Sequence, residues 1–227
     1  SRWSKKLGMK SQFINGIRVT DENTMEVAEM VLNKVNKDLV AQIESLGVRA
    51  VGISGKDGRL LKAGRKLSNG KDIGYVGEVK SVCPKILSNL LENDFLPVVC
   101  PIGMDEEFHS YNINADDAAC AIAKAVSAEK LAFLTDMEGV YKDPENPESL
   151  ISELHVKEID ALIRSGNVGG GMIPKLLDCR DALRHNVSRV HILDGRIPHC
   201  LLLEIFTNKG IGTAILGDKE EHFYEER

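Results

Sequence analysis

No stretch of this 227-residue sequence is apolar over the ~18–20 residues that a bilayer-spanning helix requires. The first residues show no signal-peptide pattern. Lysine and arginine are not clustered, and the formal net charge is −5, which argues against a broad nucleic-acid-binding surface. We therefore expect a cytoplasmic protein that has neither a membrane nor a nucleic acid as its partner.

The sequence contains no Cys-x-x-Cys pair. Its five cysteines are an odd number and are widely spaced, which predicts reduced, mostly buried thiols instead of a disulfide framework. The histidines His191 and His199 flank Asp194 and Arg196, but no further ligand is spaced to complete a metal site. We therefore predict that the chain itself holds no metal.

Three familiar catalytic signatures are also missing. No Gly-x-x-x-x-Gly-Lys-[Ser/Thr] loop occurs, which excludes a P-loop enzyme. No Gly-x-Gly-x-x-Gly segment follows a strand, which argues against a nicotinamide-dependent dehydrogenase. No Gly-x-Ser-x-Gly segment occurs, so a hydrolase would lack its usual nucleophile elbow.

What the sequence does contain is an alternation of helical and strand-like segments. Residues 21–46 show helical periodicity, with Asp21 suited to the N-cap and Gly47 to the C-terminal stop. Central segments such as 131–134 are apolar without period-two alternation, as in parallel strands that are covered on both faces. The pattern predicts an α/β protein, a three-layer αβα sandwich around a mainly parallel open sheet.

Two predicted elements depart from that simple alternation. Residues 60–66 and 75–82 are glycine-containing and alternating, which predicts a β-hairpin. Residues 154–164 have the pattern of a helix that stops at Gly166.

A run of glycines provides the most informative local signal. Gly169, Gly170 and Gly171 precede a predicted helix that begins at Met172, and Lys175 lies about one turn into it. Glycines allow a close approach of the backbone, and a helix N-terminus offers free N–H donors and a partial positive charge. This combination is typical of a phosphate site, and the Lys175 ammonium could reach the same anion. The alternative is a flexible linker before an ordinary helix.

The segment Asn112-Ile113-Asn114-Ala115-Asp116 is distinctive because it joins a predicted strand to a helix. Two amides at i and i+2 point the same way from an extended strand. Asp116 falls in the first helical turn, where a carboxylate is favoured. The alternative is that Asn114 merely caps the helix and Asp116 supports its dipole.

Two further segments carry polar groups where a ligand could bind. Asp136, Gly139 and Val140 follow the predicted strand 131–134, and ligands of parallel sheets bind at the carboxyl ends of strands. An ordinary turn would use the same residues. Arg18 lies beside a glycine just before a helix, and its guanidinium could bind a carboxylate through two hydrogen bonds. It could equally be a plain surface residue.

Six segments together carry a family resemblance. They are Phe13–Thr20, Ser54–Gly58, Gly74–Val79, Tyr111–Asp116, Leu134–Asp136 with Gly139–Val140, and Gly170–Lys175. In this order they resemble the acetylglutamate kinases of the amino acid kinase family, from near residue 1 to about Leu216. The resemblance implies an acetylglutamate-binding and dimerisation lobe over residues 1–128, incomplete at its start, and an ATP-binding lobe over residues 129–227.

The resemblance also implies an activity. Enzymes of this type use MgATP to phosphorylate the side-chain carboxylate of N-acetyl-L-glutamate in arginine biosynthesis. Arg18 would hold the α-carboxylate, and Asn112 and Asn114 would bind the rest of that substrate. Lys175 would stabilise the transferring phosphoryl group, and Asp116 would orient the catalytic lysines. The implied nucleotide site consists of Asp136, Gly139, Val140, Asn167, Gly169, Gly170 and Gly171.

The C-terminal segments Arg189–His199, Leu201–Glu204 and Gly210–Thr213 resemble the arginine-inhibited branch of these kinases. The resemblance implies that His191, Glu204 and Gly210 contact the inhibitor arginine, with Glu204 pairing with its guanidinium. It also implies a homodimer or a higher homo-oligomer, since an N-terminal helix links dimers in that branch.

The sequence departs from the family pattern in one respect. The family has a Lys-x-Gly-Gly segment and a Gly-Gly-Gly-Pro loop, and neither occurs here. We therefore expect that the N-terminal strands of the fold are absent and that the activity is impaired. Two alternatives stay open: a non-catalytic module that binds arginine or oligomerises, and a family member that acts on glutamate, aspartate, carbamate or UMP. The segment from Asn112 to Asp116, together with Arg18, favours acetylglutamate.

Overall fold

The computed structural model describes residues 13–14, 17–169, 171–207 and 210–217. Of the predicted site, Gly170 and the side chain of Arg18 lie outside the described part. The chain divides into two compact units, Ser1–Ile122 and Ala123–Arg227. The predicted boundary lies at residue 128, and the roles given to the two lobes stay predictions.

The first unit is built from short sheets and three helices within the part described. Its elements in chain order are β1 (Phe13–Ile14), β2 (Ile17–Arg18), α1 (Glu22–Ser45), β3 (Ala50–Ser54), β4 (Leu61–Ser68), β5 (Lys71–Val82), α2 (Lys85–Glu92), β6 (Leu96–Cys100), β7 (Ile102–Met104), β8 (Ser110–Ile113) and the first residues of α3 (Ala115–Ala125). Strands β3 and β6 pair in parallel, and β1 pairs with β2 antiparallel. Strands β4, β5, β8 and β7 close a small barrel in that order.

The predicted hairpin is confirmed, and the structure shows what closes it. Strands β4 and β5 are antiparallel, with Ser68 opposite Lys71. Between these two residues lie Asn69 and Gly70, whose φ angles are 50° and 76°. A two-residue turn with both φ angles positive matches the right-handed twist of the strands, and Asn-Gly is the preferred pair for it.

Helix α1 begins and ends where its sequence predicts. The Asp21 carboxylate accepts a hydrogen bond of 2.7 Å from the backbone N–H of Thr24, and Gly47 follows the helix at a φ of 88°. On its buried side, the Asn36 amide donates to the carbonyl oxygen of Val98 in β6 at 2.8 Å. The core of this unit contains Ile53, Leu60, Leu61, Ala63, Leu87, Tyr111, Ile113 and Ala118.

The second unit contains one four-stranded sheet and one small hairpin within the part described. Its elements are β9 (Lys130–Thr135), β10 (Val140–Tyr141), β11 (Leu150–Ile151), β12 (Glu153–His155), α4 (Ile159–Arg164), α5 (Met172–Arg184), β13 (Arg189–Asp194), α6 (Cys200–Phe206) and β14 (Thr213–Leu216). The sheet order is β12-β14-β13-β9, and β10 pairs with β11. The β13–β9 and β12–β14 pairs are parallel, and β13–β14 is antiparallel. The predicted α/β class is confirmed, with antiparallel pairs beside the parallel ones.

One predicted helix is wrong over its first half. Residues 154–164 are not one helix, because Glu153–His155 forms strand β12 and only Ile159–Arg164 is α-helical. Leu154 is buried opposite Ile215 in the parallel ladder with β14. Pairing with a distant strand therefore overrides the helical periodicity of this segment. The predicted stop at Gly166 is confirmed by its φ of 77°.

All five cysteines are free thiols, and every one except Cys83 is buried, as predicted. Burial raises the pKa of the Cys100 thiol to about 11, which keeps it protonated and unreactive near neutral pH. None of the helices that the structure describes has the length and apolar character needed to cross a membrane.

Candidate active site

The predicted phosphate site lies at the start of α5. Gly171 is the N-cap of this helix and makes no side-chain capping bond, and the first turn of the helix contains no acidic residue. Lys175 lies at the end of that turn, where the helix already carries a partial positive charge. The arrangement therefore suits a phosphate group.

The aromatic ring of Phe133 holds the Lys175 ammonium in place. The Lys175 Nζ lies 4.5 Å from the centre of the ring. Phe133 is 5% exposed and belongs to β9, two residues before the strand ends. A cation–π contact of this kind contributes about 0.5–2 kcal/mol and fixes the position of the charge. The sequence analysis missed Phe133, because an aromatic residue in an apolar strand has the pattern of an ordinary core residue.

A cavity of about 260 Å³ lies beside the glycine run. Its walls are formed by Met137, Gly139, Val140, Tyr141, Pro144, Asn167, Val168, Gly169 and Met172. Four of the predicted nucleotide-binding residues, Gly139, Val140, Asn167 and Gly169, therefore meet at one place. The lining is mainly apolar, and the volume is slightly below the roughly 300–1,000 Å³ of typical ligand pockets. The cavity suits a flat ring such as a nucleobase.

Of the glycines around this cavity, Gly139, Gly169 and Gly171 all lack a positive φ angle, so backbone conformation does not require them. The φ angle of Gly139 is not positive, but a Cβ atom at this position would lie 2.5 Å from the Thr213 Oγ1. Cβ atoms at Gly169 and Gly171 would meet no protein atom within 4 Å, so the space beside them is open. A ligand could therefore approach the backbone of the run closely.

Asn167 joins the two sides of the cavity. Its Nδ2 donates to the carbonyl oxygen of Lys142 at 2.8 Å, and Lys142 directly follows β10. Its backbone N–H donates to the Ser165 hydroxyl at 3.3 Å. The predicted role of Asn167 in nucleotide binding thus includes maintaining the shape of the cavity through its hydrogen bond to Lys142.

Tyr141, in the wall of the cavity, has a perturbed acidity. Its hydroxyl donates to the carboxylate of Glu138. This hydrogen bond, together with desolvation, raises the pKa of Tyr141 to about 12. The phenol is therefore neutral over the physiological pH range. The resulting stabilisation is present below the ordinary tyrosine pKa of about 10 and is lost as the pH rises through 12.

We expect that replacing Glu138 with glutamine lowers the pKa of Tyr141 from about 12 towards about 10. The amide can still accept the hydrogen bond, but it no longer carries the charge that opposes ionisation. Carbon-13 NMR of labelled tyrosine follows the titration, and Tyr141→Phe identifies the resonance. A wild-type Tyr141 that titrates with an unshifted pKa would contradict the structure.

Strands β9 and β13 end side by side, so their polar termini meet. Thr135 pairs with Asp194, and the Arg196 guanidinium donates to both Asp194 carboxylate oxygens at 2.8 Å. This hydrogen bonding lowers the pKa of Asp194. The guanidinium also interacts with the exposed Asp136 across the sheet edge. Asp194 is thus engaged by an arginine on both of its carboxylate oxygens.

In the first unit, Asn112 and Asn114 have different surroundings. Asn112 is half-buried in β8, between Ile102 of β7 and Val76 of β5, and no described residue hydrogen-bonds to its amide group. The Asn114 Oδ1 accepts from the backbone N–H of Asp116 at 2.7 Å, so Asn114 caps α3. Only the Nδ2 of Asn114 is left for a substrate, whereas both amide atoms of Asn112 can take part.

Two of the three residues assigned to arginine, His191 and Glu204, form a buried pair, and Gly210 is half-buried. The His191 Nδ1 is 2.8 Å from the Glu204 Oε1, and the two side chains are 2% and 0% exposed. The Glu204 Oε2 accepts from the backbone N–H groups of Ile211 and Gly212 at 2.8 and 3.1 Å. Gly210 begins this segment, at a φ of 60°. The carboxylate of Glu204 is therefore enclosed and already engaged on both oxygens.

The sequence profile of the amino acid kinase family matches residues 1–194. The chain belongs to the amino acid kinase family. An acetylglutamate kinase of Campylobacter jejuni subsp. doylei is 54% identical over 215 residues, which cover 95% of this chain and 75% of that protein. Membership of this family, together with a relative that is a kinase, identifies the chain as a phosphotransferase.

Two solved structures of one related protein have the same fold as this chain. The N-acetylglutamate synthase of Neisseria gonorrhoeae, complexed with coenzyme A and N-acetyl-glutamate, has a TM-score of 0.83 and 27% identity. The match covers 98% of this chain and 50% of the synthase chain. The same synthase with coenzyme A and L-arginine has a TM-score of 0.80 and 26% identity, over 95% of this chain and 50% of that one.

Proposed function

We propose that this family member takes part in the ATP-dependent phosphorylation of the side-chain carboxylate of N-acetyl-L-glutamate, a step of arginine biosynthesis. The observation that carries the proposal is the 54% identity to an acetylglutamate kinase over 95% of the chain. The similarity to a synthase structure that holds N-acetyl-glutamate supports the same acceptor. In the reaction, a carboxylate oxygen of the acceptor bonds to the γ-phosphorus, and ADP leaves with the bridging oxygen.

The second unit supplies the donor side of this reaction. The nucleobase occupies the cavity between Gly139 and Gly169, and the phosphates extend along the glycine run to the start of α5. Lys175 neutralises the charge that develops on the transferring phosphoryl group. Because phosphoryl transfer depends mainly on positioning and fixed positive charge, a cation held by Phe133 suits this role.

The first unit supplies the acceptor side. The open amide of Asn112 donates to and accepts from the bound N-acetyl-L-glutamate. Arg18 binds the α-carboxylate, and Asn114 contributes through its Nδ2. Asp116, at the start of α3, has the proposed role that the resemblance implies, which is to orient the catalytic lysines of the family.

Mg²⁺ is the metal expected with the nucleotide. The exposed Asp136 offers carboxylate oxygens in the loop after β9, and oxygen is the donor type that this ion prefers. The residues present therefore fit an ion that arrives on the ATP phosphates. When bound, Mg²⁺ would neutralise phosphate charge, and the chain would need no metal site of its own.

Two segments that the resemblance assigns to catalysis, Lys-x-Gly-Gly and Gly-Gly-Gly-Pro, do not occur among the 227 residues. We therefore propose that the polypeptide of this sequence turns over slowly by itself. Binding is consequently a sharper test than turnover.

The test is calorimetric titration of the 227-residue chain with MgATP and with a panel of acceptors. We expect N-acetyl-L-glutamate to bind at least about tenfold more tightly than glutamate, aspartate or carbamate, because the amide site is built for the acetylated compound. Asn112→Ala should remove this preference. Tighter binding of another acceptor, or of UMP, would assign the chain to a different branch of the family.

Arginine is the proposed inhibitor, and His191, Glu204 and Gly210 are its proposed contacts. A similar structure that holds L-arginine supports this assignment. Titration with arginine in the presence and absence of MgATP separates regulation from the alternative of a non-catalytic module, which would bind arginine but not ATP. Sedimentation of the same samples tests the proposed homodimer or higher homo-oligomer.

A further inference from the structure

We propose that Thr213 is a positioning residue for the nucleotide: its buried hydroxyl fixes the hairpin of β10 and β11, and strand β10 of that hairpin forms part of the cavity wall. The inference rests on the nucleotide role proposed above for that cavity. Thr213 itself does not line the cavity, so it would act through Val140 and not by touching the ligand.

The hydroxyl makes two hydrogen bonds with opposite roles. The Thr213 Oγ1 donates to the carbonyl oxygen of Ile151 at 2.7 Å and accepts from the backbone N–H of Val140 at 2.8 Å. Val140 and Ile151 face each other in the hairpin. Thr213 therefore bridges the two strands at their paired residues. It is 73 residues away from Val140 in the sequence and 62 residues away from Ile151.

This bridge lies in a place that water cannot reach. Thr213 is 0% exposed, and Val140 and Ile151 are also buried. A buried N–H and a buried carbonyl oxygen must each find a partner, and a single side-chain hydroxyl serves both. Without it, the hairpin would have to move to satisfy these groups, and the cavity wall would move with it.

Two neighbouring glycines make room for the bridge. A Cβ atom on Gly139 would lie 2.5 Å from the Thr213 Oγ1, so any side chain there would displace the hydroxyl. A Cβ atom on Gly212 would lie 2.3 Å from the Ile192 carbonyl oxygen, so the chain before Thr213 is packed against β13. Packing of Gly212 against β13 thus fixes the backbone before Thr213, and the Thr213 hydroxyl points towards the hairpin.

The closing experiment compares Thr213→Val with Thr213→Ser in the full chain. Valine has the same shape but no hydroxyl, and serine keeps the hydroxyl. Titration with ATP and with adenosine should show about tenfold weaker binding of both ligands to Thr213→Val and wild-type affinity in Thr213→Ser, since one buried hydrogen-bond pair is lost only in the first. Hydrogen exchange of the Val140 amide should accelerate in Thr213→Val alone.

A second variant separates positioning from a general loss of stability. Val190→Ala removes buried apolar volume from the same sheet, but Val190 does not line the cavity. It should leave both affinities unchanged at a temperature where the variants are fully folded. If Val190→Ala weakens binding as much as Thr213→Val does, or if Thr213→Val binds like wild type, the inference is overturned while the nucleotide role stands. A wild-type chain that binds neither ATP nor adenosine overturns the nucleotide role itself.

Discussion

Lys175→Met should weaken the binding of ATP by about 10- to 100-fold and leave adenosine binding within about twofold. The Lys175 ammonium lies in the first turn of α5, whereas the proposed base cavity lies beside the glycine run. Methionine keeps the unbranched apolar chain against Phe133 but removes the charge. Only the phosphate-bearing ligand should therefore respond, and titration with ATP, AMP and adenosine measures the difference.

Lys175→Arg is the matched control for charge. It restores a cation, but a planar guanidinium places its donors differently from a compact ammonium. We expect it to recover most of the ATP affinity and little of the rate of phosphoryl transfer, since transfer depends on the position of the charge. Equal loss of ATP and adenosine affinity in Lys175→Met would mean that the side chain supports the cavity structurally and does not bind phosphate.

Glu204→Ala should lower the free energy of unfolding by about 3–5 kcal/mol. The Glu204 carboxylate is fully buried and engages His191 and the backbone N–H groups of Ile211 and Gly212. Truncation leaves these three groups, two of them buried and one partly buried, without that acceptor. Urea unfolding of the full chain, followed by circular dichroism, measures the change.

Glu204→Gln isolates the charge in this cluster. The glutamine oxygen can still accept from one side, but its NH₂ group faces either the ring nitrogen or the two backbone donors. We expect a loss of about half that of the alanine variant, since part of the hydrogen bonding survives. If Glu204→Ala unfolds at the same urea concentration as wild type, the carboxylate has no structural role, and its burial would have to serve ligand binding alone.

The parts of the site that could be predicted from sequence are those with local signals. A glycine run before a helix and a lysine one turn later are contiguous, so the start of α5 at Met172 can be predicted from sequence, and the phosphate role of this segment stays a prediction. The caps of α1 at Asp21 and Gly47 are local in the same sense. Hairpin β4–β5 depends on an Asn-Gly turn and is local as well.

The parts that escaped prediction depend on residues that are distant in sequence. Phe133 of strand β9 contacts Lys175 of helix α5, and Thr213 reaches Val140 across 73 residues. Leu154 belongs to a strand only because β14 lies beside it. Gly139 suggested a tight turn, yet its φ angle is not positive, and the reason for glycine is the Thr213 hydroxyl next to it. No single-sequence pattern carries information of this kind.

Strand β14 has only four residues, and such a short strand could slide along its neighbours at little cost in backbone hydrogen bonds. A slip of one position would exchange its two faces and turn Thr213 away from the hairpin. The Glu204 carboxylate accepts hydrogen bonds from Ile211 and Gly212, the two residues just before the strand. Thr213, the first residue of the strand, is hydrogen-bonded to the hairpin of β10 and β11. Polar contacts at one end of β14 thus set its register between β12 and β13, so a shifted register would be an early sign of damage at either contact.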